Sequence, residues 1–473
     1  MARVLRRVVV AVAAAGVSAA APAPALAASG DWPQYLHGPQ HSSVSATTAF
    51  TTANAAQAEQ LWHFQPGAIA GNPAPGVNAS PTVVGSRVYI GAESGVFYAL
   101  DATTGKVVWK RLLEVEAATT CPARGITSTA AVVPDPTTGT TVVYVSGARD
   151  LYALNSTTGA VIWKTMIGPA SPSSPNAYYN WSSPTVVAGH VYDGLSSSCD
   201  KPQVRSGVVE LNQHTGAVQH TWYDVPAGSI GGSVWASVAA SSNGHDLWVS
   251  TGNECETTPS NTCPAGNQNG NSVSIVHLGA SLGFLGAYQP PGTIGHDWDF
   301  GSSPTLFGSG SVGACNKNGT YYALARNPLG SHPLWTDVLG APAASLGSCI
   351  ASAIWDGGSG SLFVAGDATT IGGTSYGGSL RRVDPATGGY IWQTGLPCAV
   401  MGTPSLDGAG VIAAGTYSCP APNTPGAYLL DAGSGGVLTS LPVNGSKVFG
   451  QPVFAGGSLF VASASGGIYA FAP

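Results

Sequence analysis

Charge is what this chain has least of. Only 8% of its 473 residues are Asp, Glu, Lys or Arg, and acids outnumber bases by 23 to 17. A lysine-poor, net-acidic chain lacks the basic patch that nucleic acid or an anionic membrane surface requires, so neither is an expected partner. No stretch sustains a helical apolar period, which leaves strands and turns. The one long apolar run, Val8 to Ala21, follows Arg3, Arg6 and Arg7 and precedes Ala25-Leu26-Ala27. That order is a secretory signal, so residues 1–27 are expected to be removed and the protein to be secreted. No cysteine follows the cleavage site, which argues against a lipid anchor. Losing three arginines leaves 14 bases against 23 acids, a net charge of −9. There is no Cys-x-x-Cys-His for covalent haem, no Cys/His group at zinc spacing, and no nucleophile elbow to support Ser-His-Asp catalysis.

Glycine, by contrast, occurs 64 times, and much of it belongs to a repeat. Asp101 to Trp109 reads DATTGKVVW, Asn155 to Trp163 reads NSTTGAVIW, and Asp384 to Trp392 reads DPATGGYIW. Weaker copies run from Asn212 to Trp222 and from Asp431 to Leu438. Each is a tight hairpin entered by an alternating strand such as Val96 to Leu100. The Asp or Asn bonds local amides, and Gly supplies positive φ. Hairpins of this kind cannot bury both faces alone, so repetition at this spacing means stacked or radial blades.

Openings of the small-Ser-Pro type count the blades. They fall at Asn78–Pro81, Thr127–Ala130, Ser182–Pro184, Val234–Ser237, Ser302–Pro304, Ala351–Ala353, Gly402–Pro404 and Phe449–Pro452. The eighth repeat stops one strand short, while Leu61-Trp62-His63-Phe64 resembles a closing strand with no blade before it. Joining the two would close a ring and hide its sheet edges. The expected fold is therefore all-β: an eight-bladed β-propeller of four-stranded antiparallel blades over residues 61–473, preceded by a segment at 28–60. A seven-bladed ring with a stray repeat is the alternative. Eight cysteines in an exported chain read as four disulfides. Proximity pairs Cys255 with Cys263, Cys315 with Cys349 and Cys398 with Cys419, leaving Cys121 with Cys199.

These repeats, with Asp31-Trp32-Pro33-Gln34-Tyr35 near the mature start, resemble the pyrroloquinoline-quinone (PQQ) propeller family over essentially the whole mature chain. That family includes quinoprotein alcohol dehydrogenases, polyvinyl-alcohol dehydrogenase and non-catalytic relatives. The resemblance implies site residues. Trp235 corresponds to a cofactor-stacking tryptophan, and Thr251-Gly252-Asn253 to a segment supplying a metal ligand. Asp297-Trp298-Asp299-Phe300 looks like the segment whose second Asp is base and metal ligand. Arg326 and Arg124 stand where arginines contact the quinone, and Ser196 where a serine holds a quinone carboxylate. The implied cofactors are PQQ and calcium. The implied activity is oxidation of an alcohol or polyol, with electrons passed to a separate acceptor.

Two departures stand out. The family's metal-binding glutamate position holds Cys199, with Asp200 next to it as a replacement ligand; and Cys121 is followed by Pro122 rather than by a second cysteine. Read without the family, Trp235 is a blade-docking tryptophan, Asn253 and Asp299 are turn residues, and His296 beside Asp297 is an exposed loop histidine. A non-catalytic propeller that binds a protein or glycan partner is accordingly the alternative function.

Overall fold

A computed structural model describes residues 30–116, 122, 124–168, 178–258, 261–342 and 349–473; the expected signal segment and Cys121 lie outside them. The described chain forms eight four-stranded antiparallel sheets and one extra two-stranded hairpin. Its helical content is three 3-10 turns of three residues each. Blade 1 runs through Thr82–Val84, Arg87–Gly91, Val96–Asp101 and Val107–Leu112 from the axis outward. Blade 8 is completed by Glu59–Phe64, which pairs with Gly467–Ala472, Glu59 opposite Ala472 and Phe64 opposite Ile468. The ring closes on the chain's own ends, and the seven-bladed alternative is excluded.

The repeated turn is half of a joint between blades. In blade 1 the Asp101 carboxylate accepts from the amides of Thr103 and Thr104 at 3.1 and 2.9 Å, and Gly105 takes φ +68°. A Cβ on Gly105 would lie 2.6 Å from the Trp62 ring of blade 8, whose indole N–H donates to Ala102 O at 3.0 Å. Trp109 docks the same way on Gly159, and Trp392 on Gly435. Glycine is needed twice here, for its φ and for the ring that lies on it.

A second seam runs round the axis. At six of the junctions the hydroxyl of the opening Ser or Thr accepts the amide of the preceding blade: Gln451 to Ser80, Ser80 to Thr129, Thr129 to Ser183, Ser183 to Ser237, Ser237 to Ser303 and Ser352 to Thr403, all within 3.0 Å. This is the structural reason for the Ser/Thr-Pro signature. The segment ahead of the ring then straps its base. Trp32, Pro33, Gln34, Pro39, Gln40, Ser42 and Ser43 hydrogen-bond the innermost strands of blades 1 to 7 in chain order, and Gly30 bonds blade 8.

The cores lie between neighbouring blades, as radial packing requires. Cys255–Cys263, Cys315–Cys349 and Cys398–Cys419 are bonded as the spacing suggests. Cys199 is also disulfide-bonded; Cys121, its expected partner, is outside the described residues. No helix among the described residues is long and apolar enough to cross a membrane.

Candidate functional site

The strap closes one end of the axis, and above it lies a cavity of about 550 Å³. That is ample for a drug-sized planar ligand. Tyr35 of the strap projects into its floor, with its hydroxyl against Thr403 and Ser303. The walls are unlike one another. Blades 2 to 5 contribute Arg124, Asp200, Asp297, Asp299 and Lys317; blades 5 to 8 contribute Ile350, Met401, Tyr417 and Phe449.

Asp299 is the centre of the charged wall and is 4% exposed. Its segment is sewn in from both sides. Phe300 is fully buried against Tyr322 and donates its amide to Thr251 O, while Lys317 donates its amide to Asp299 O at 2.9 Å. Gly252 permits the approach, since a Cβ there would sit 2.9 Å from Ser233 and 3.3 Å from Asp299 Oδ2. Asp299 Oδ2 accepts from Trp235 Nε1 at 3.0 Å and lies 3.2 Å from Lys317 Nζ. Lys317 reaches Asp297 Oδ1 at 2.8 Å, and Asn253 Nδ2 donates to the same oxygen at 2.9 Å. The ammonium also stands 5.7 Å over the Trp235 ring.

Burial raises the Asp299 pKa, and the Lys317 charge opposes that rise. Burial works against the Lys317 ammonium too, but Asp299 and Asp297 outweigh it and its pKa ends above the usual lysine value. Asp200 is pushed up to about 6, first by burial and then by the charge of Asp299, while Ser197 Oγ donates to it at 2.9 Å. Two buried oxygens in this wall, Asp299 Oδ1 and Asn253 Oδ1, have no hydrogen-bond partner. Such acceptors are costly unless something outside the protein meets them.

Of the residues singled out in the sequence, Trp235, Asp299, Asp200 and Arg124 line the cavity, and Asn253 stands behind Asp297. Arg124 pairs with Glu93 at 3.3 Å and lies 4.8 Å over Trp181. Ser196 is not brought in: it is fully buried, its hydroxyl donates to Tyr179 O, and its neighbour Ser197 faces the cavity. Arg326 is not brought in either. It occupies the turn position of blade 5, where its carbonyl accepts from Trp248 Nε1 at 3.1 Å and its guanidinium lies 5.8 Å over that indole. It serves the outer joint between blades 4 and 5 because a turn residue of this repeat points away from the axis. The cation that meets Asp299 in the cavity is Lys317, which the sequence reading passed over. Its signal was its placement in Asn316-Lys317-Asn318-Gly319, one of only six lysines in the chain. Among the described residues no three His, Cys, Asp or Glu side chains gather as a metal-ligand set.

A sequence profile described as the glucose/ethanol/alcohol dehydrogenase β-propeller domain matches residues 32–254, and one described as outer membrane protein assembly factor BamB matches residues 376–473. The chain belongs to the PQQ-type β-propeller repeat family. Among the relatives of this PQQ-type propeller, the polyvinylalcohol dehydrogenase of Sphingopyxis sp. (strain 113P3) is 24% identical over 336 residues, covering 64% of this chain and 44% of the relative. The quinohemoprotein alcohol dehydrogenase ADH IIB of Pseudomonas putida is 25% identical over 280 residues, covering 57% and 34%. The chain thus spans less than half the length of either relative. A europium-containing methanol dehydrogenase superposes with a TM-score of 0.73 at 17% identity, covering 94% of this chain and 98% of that one, which shows a shared fold.

Proposed function

We propose that this propeller is a PQQ-dependent oxidoreductase that acts on an alcohol or polyol and passes electrons to a separate acceptor. The observation that carries the reading is Asp299: a buried carboxylate with one oxygen anchored by Trp235 and Lys317 and the other unpartnered, inside a cavity large enough for a cofactor and a substrate.

The residues present suit the group. A flat, tricarboxylic quinone needs an aromatic face and cations, and Trp235, Arg124 and Lys317 supply them. A hard divalent cation of the calcium type needs oxygen donors, and Asn253 Oδ1 and Asp299 Oδ1 are without partners, with Asp200 as a further carboxylate on the same wall. When bound, the quinone supplies a two-electron acceptor and the cation a Lewis acid beside it. The protein's own contribution is positioning and proton handling. Trp235 and Lys317 fix Asp299 Oδ2, so Oδ1 is the atom that takes the carbinol proton. Burial raises the proton affinity of that carboxylate, as a base in this role requires. Three disulfides among the described residues support a location outside the reducing cytoplasm, in keeping with secretion.

The second reading, a non-catalytic propeller binding a protein or glycan, has one observation in its favour: Lys317 already bridges Asp297 and Asp299, so the carboxylates have a countercharge without a metal. One experiment separates the two. The purified protein is incubated with PQQ and calcium, desalted, and examined for retained quinone absorbance and for dye reduction with a panel of alcohols. Retention with alcohol-dependent reduction is expected. A protein that keeps no quinone is not this enzyme.

A further inference from the structure

Among the described residues, blade 6 alone carries a second small sheet. Between its second and third strands, Ser361–Gly366 and Gly378–Val383, the chain makes an extra two-stranded hairpin, Thr369–Ile371 with Thr374–Tyr376. The hairpin folds back onto the blade's outer strand, Tyr390–Leu396. Its seat is prepared: a Cβ on Gly395 would lie 2.2 Å from the Tyr376 ring, so glycine at that position lets the hairpin lie flat. Beneath it is a cavity of about 570 Å³, walled by Thr369, Thr370 and Ile371 of the hairpin, Tyr390 of blade 6 and Val338 of blade 5.

Arg381 forms part of that wall and is only 2% exposed. Nη1 donates to Val338 O at 3.0 Å and to the Tyr390 hydroxyl at 2.5 Å; Nη2 donates to Thr369 Oγ1 at 2.7 Å and to Leu339 O at 3.3 Å. Nε has no partner. Among the described residues no carboxylate is within ion-pair distance of this guanidinium; the nearest countercharge, Asp337, is reached only through the Tyr390 hydroxyl. A buried cation held by carbonyls and hydroxyls alone is expensive, and an anion that meets it directly recovers that cost. Nε–H is the one donor of the guanidinium without a partner, both Nη2 hydrogens being taken by Thr369 and Leu339. The Thr369 hydroxyl that accepts from Nη2 belongs to the hairpin and can turn to donate to an incoming oxygen. Nε–H and that hydroxyl together offer a carboxylate two donors. The rest of the lining is mixed: Val338, Ile371 and the Tyr390 ring offer apolar surface to a carbon body behind the acid group, and Thr370 and Gln393 are polar.

We propose that this peripheral cavity of blade 6 is a binding site for a small organic carboxylate, with Arg381 as its anchor and the extra hairpin as its cover. The site is separate from the axial cavity and does not depend on the reading given for it. The test is titration of the full-length protein with benzoate, hexanoate and inorganic phosphate, followed by calorimetry and ligand-observed NMR. Saturable binding of benzoate and hexanoate is expected. Ile371→Glu, which adds a competing carboxylate to the cavity wall, is expected to weaken it by at least about tenfold, and Thr369→Val several-fold. Both substitutions are on the hairpin, so the ring stays folded, whereas Arg381→Met is open to the objection of misfolding. Trp235→Ala in the axial cavity is expected to leave benzoate binding unchanged. Absence of saturable carboxylate binding overturns the proposal; so does binding of phosphate alone, or benzoate affinity that survives Ile371→Glu or falls with Trp235→Ala.

Discussion

The two walls of the axial cavity were built by different parts of the same repeat. The charged wall comes from blades whose connections are long: the chain from Thr251 to Ser274 joins two strands of blade 4, and that from Gln289 to Pro304 leads into blade 5. Those connections carry Asn253, Asp297 and Asp299; the Asn253–Asp297 hydrogen bond joins them, Lys317 bridges the two aspartates of the second, and Cys255–Cys263 staples the first. The apolar wall comes from the inter-blade segments that carry Ile350, Met401 and Phe449 and from a connection within blade 7 that carries Tyr417. Ile350, Met401, Tyr417 and Phe449 pack with one another, and Trp235 joins them. Gly301 makes that junction possible, because a Cβ there would meet Ile350 at 2.5 Å and the Trp235 ring at 2.9 Å. Trp235 therefore has two faces of duty: its N–H holds Asp299, and its ring edge meets the apolar side. A near-symmetric ring becomes a directional site only where its connections differ.

If chemistry belongs to the charged wall, Asp299→Asn has the largest effect. Turnover of the quinone-loaded protein should fall by about 10³-fold while quinone retention persists, since the variant keeps the shape and loses the base. Dye reduction beside retained absorbance reads both. Trp235→Ala touches both walls at once. It should abolish quinone retention and lower unfolding stability by about 3 kcal/mol in urea titration, because a partly buried indole that packs on the apolar wall and holds Asp299 is removed; retention that survives would separate the walls.

A third difference is in pH. Asp200 has a folded pKa raised from 3.8 to about 6, first by burial, so the folded chain keeps a proton that the unfolded chain releases. Its stabilisation is full below about pH 4 and is lost as pH rises through 6, a swing of about 2 kcal/mol after allowance for partial exposure. Asp200→Asn should flatten that limb of a stability–pH curve, and Met401→Leu, on the apolar wall, should leave it in place. The smallest effect is expected at Arg326→Ala: a loss of about 0.5–1 kcal/mol from the outer joint, with quinone retention unaltered. Loss of retention there would return Arg326 to the cavity's machinery.

What could be read in the chain and what could not divides along the range of the forces involved. The turn at Asp101 needs only the amides of Thr103 and Thr104 and the φ of Gly105, all within four residues, so its pattern is plain in sequence. The closing strand at Trp62 was legible because a repeat with a missing member announces its absence. Disulfides such as Cys398–Cys419 followed from short spacing. Side-chain direction was not legible. Ser196 and Ser197 are neighbours on one strand end, yet one donates to Tyr179 and the other faces the cavity. Arg326 broke the repeat conspicuously and still belongs to a joint, whereas Lys317, in an ordinary-looking hairpin turn, stands between the buried Asp299 and the half-buried Asp297. The guanidinium of Arg381 gave no sign in sequence of being buried beneath an extra hairpin.

By itself, then, the sequence determined a ring of eight hairpin-built blades, its closure and three of its covalent staples. Those features rest on hydrogen bonds within a few residues and on periodic burial, which recur wherever the local pattern recurs. Tertiary structure alone decided which side chains share the axial cavity, which cation neutralises Asp299, and where an unpaired guanidinium is left. Those outcomes depend on bringing together residues from blades far apart in the chain, and the electrostatics of a buried group are set by whatever neighbour the fold puts within about 4 Å.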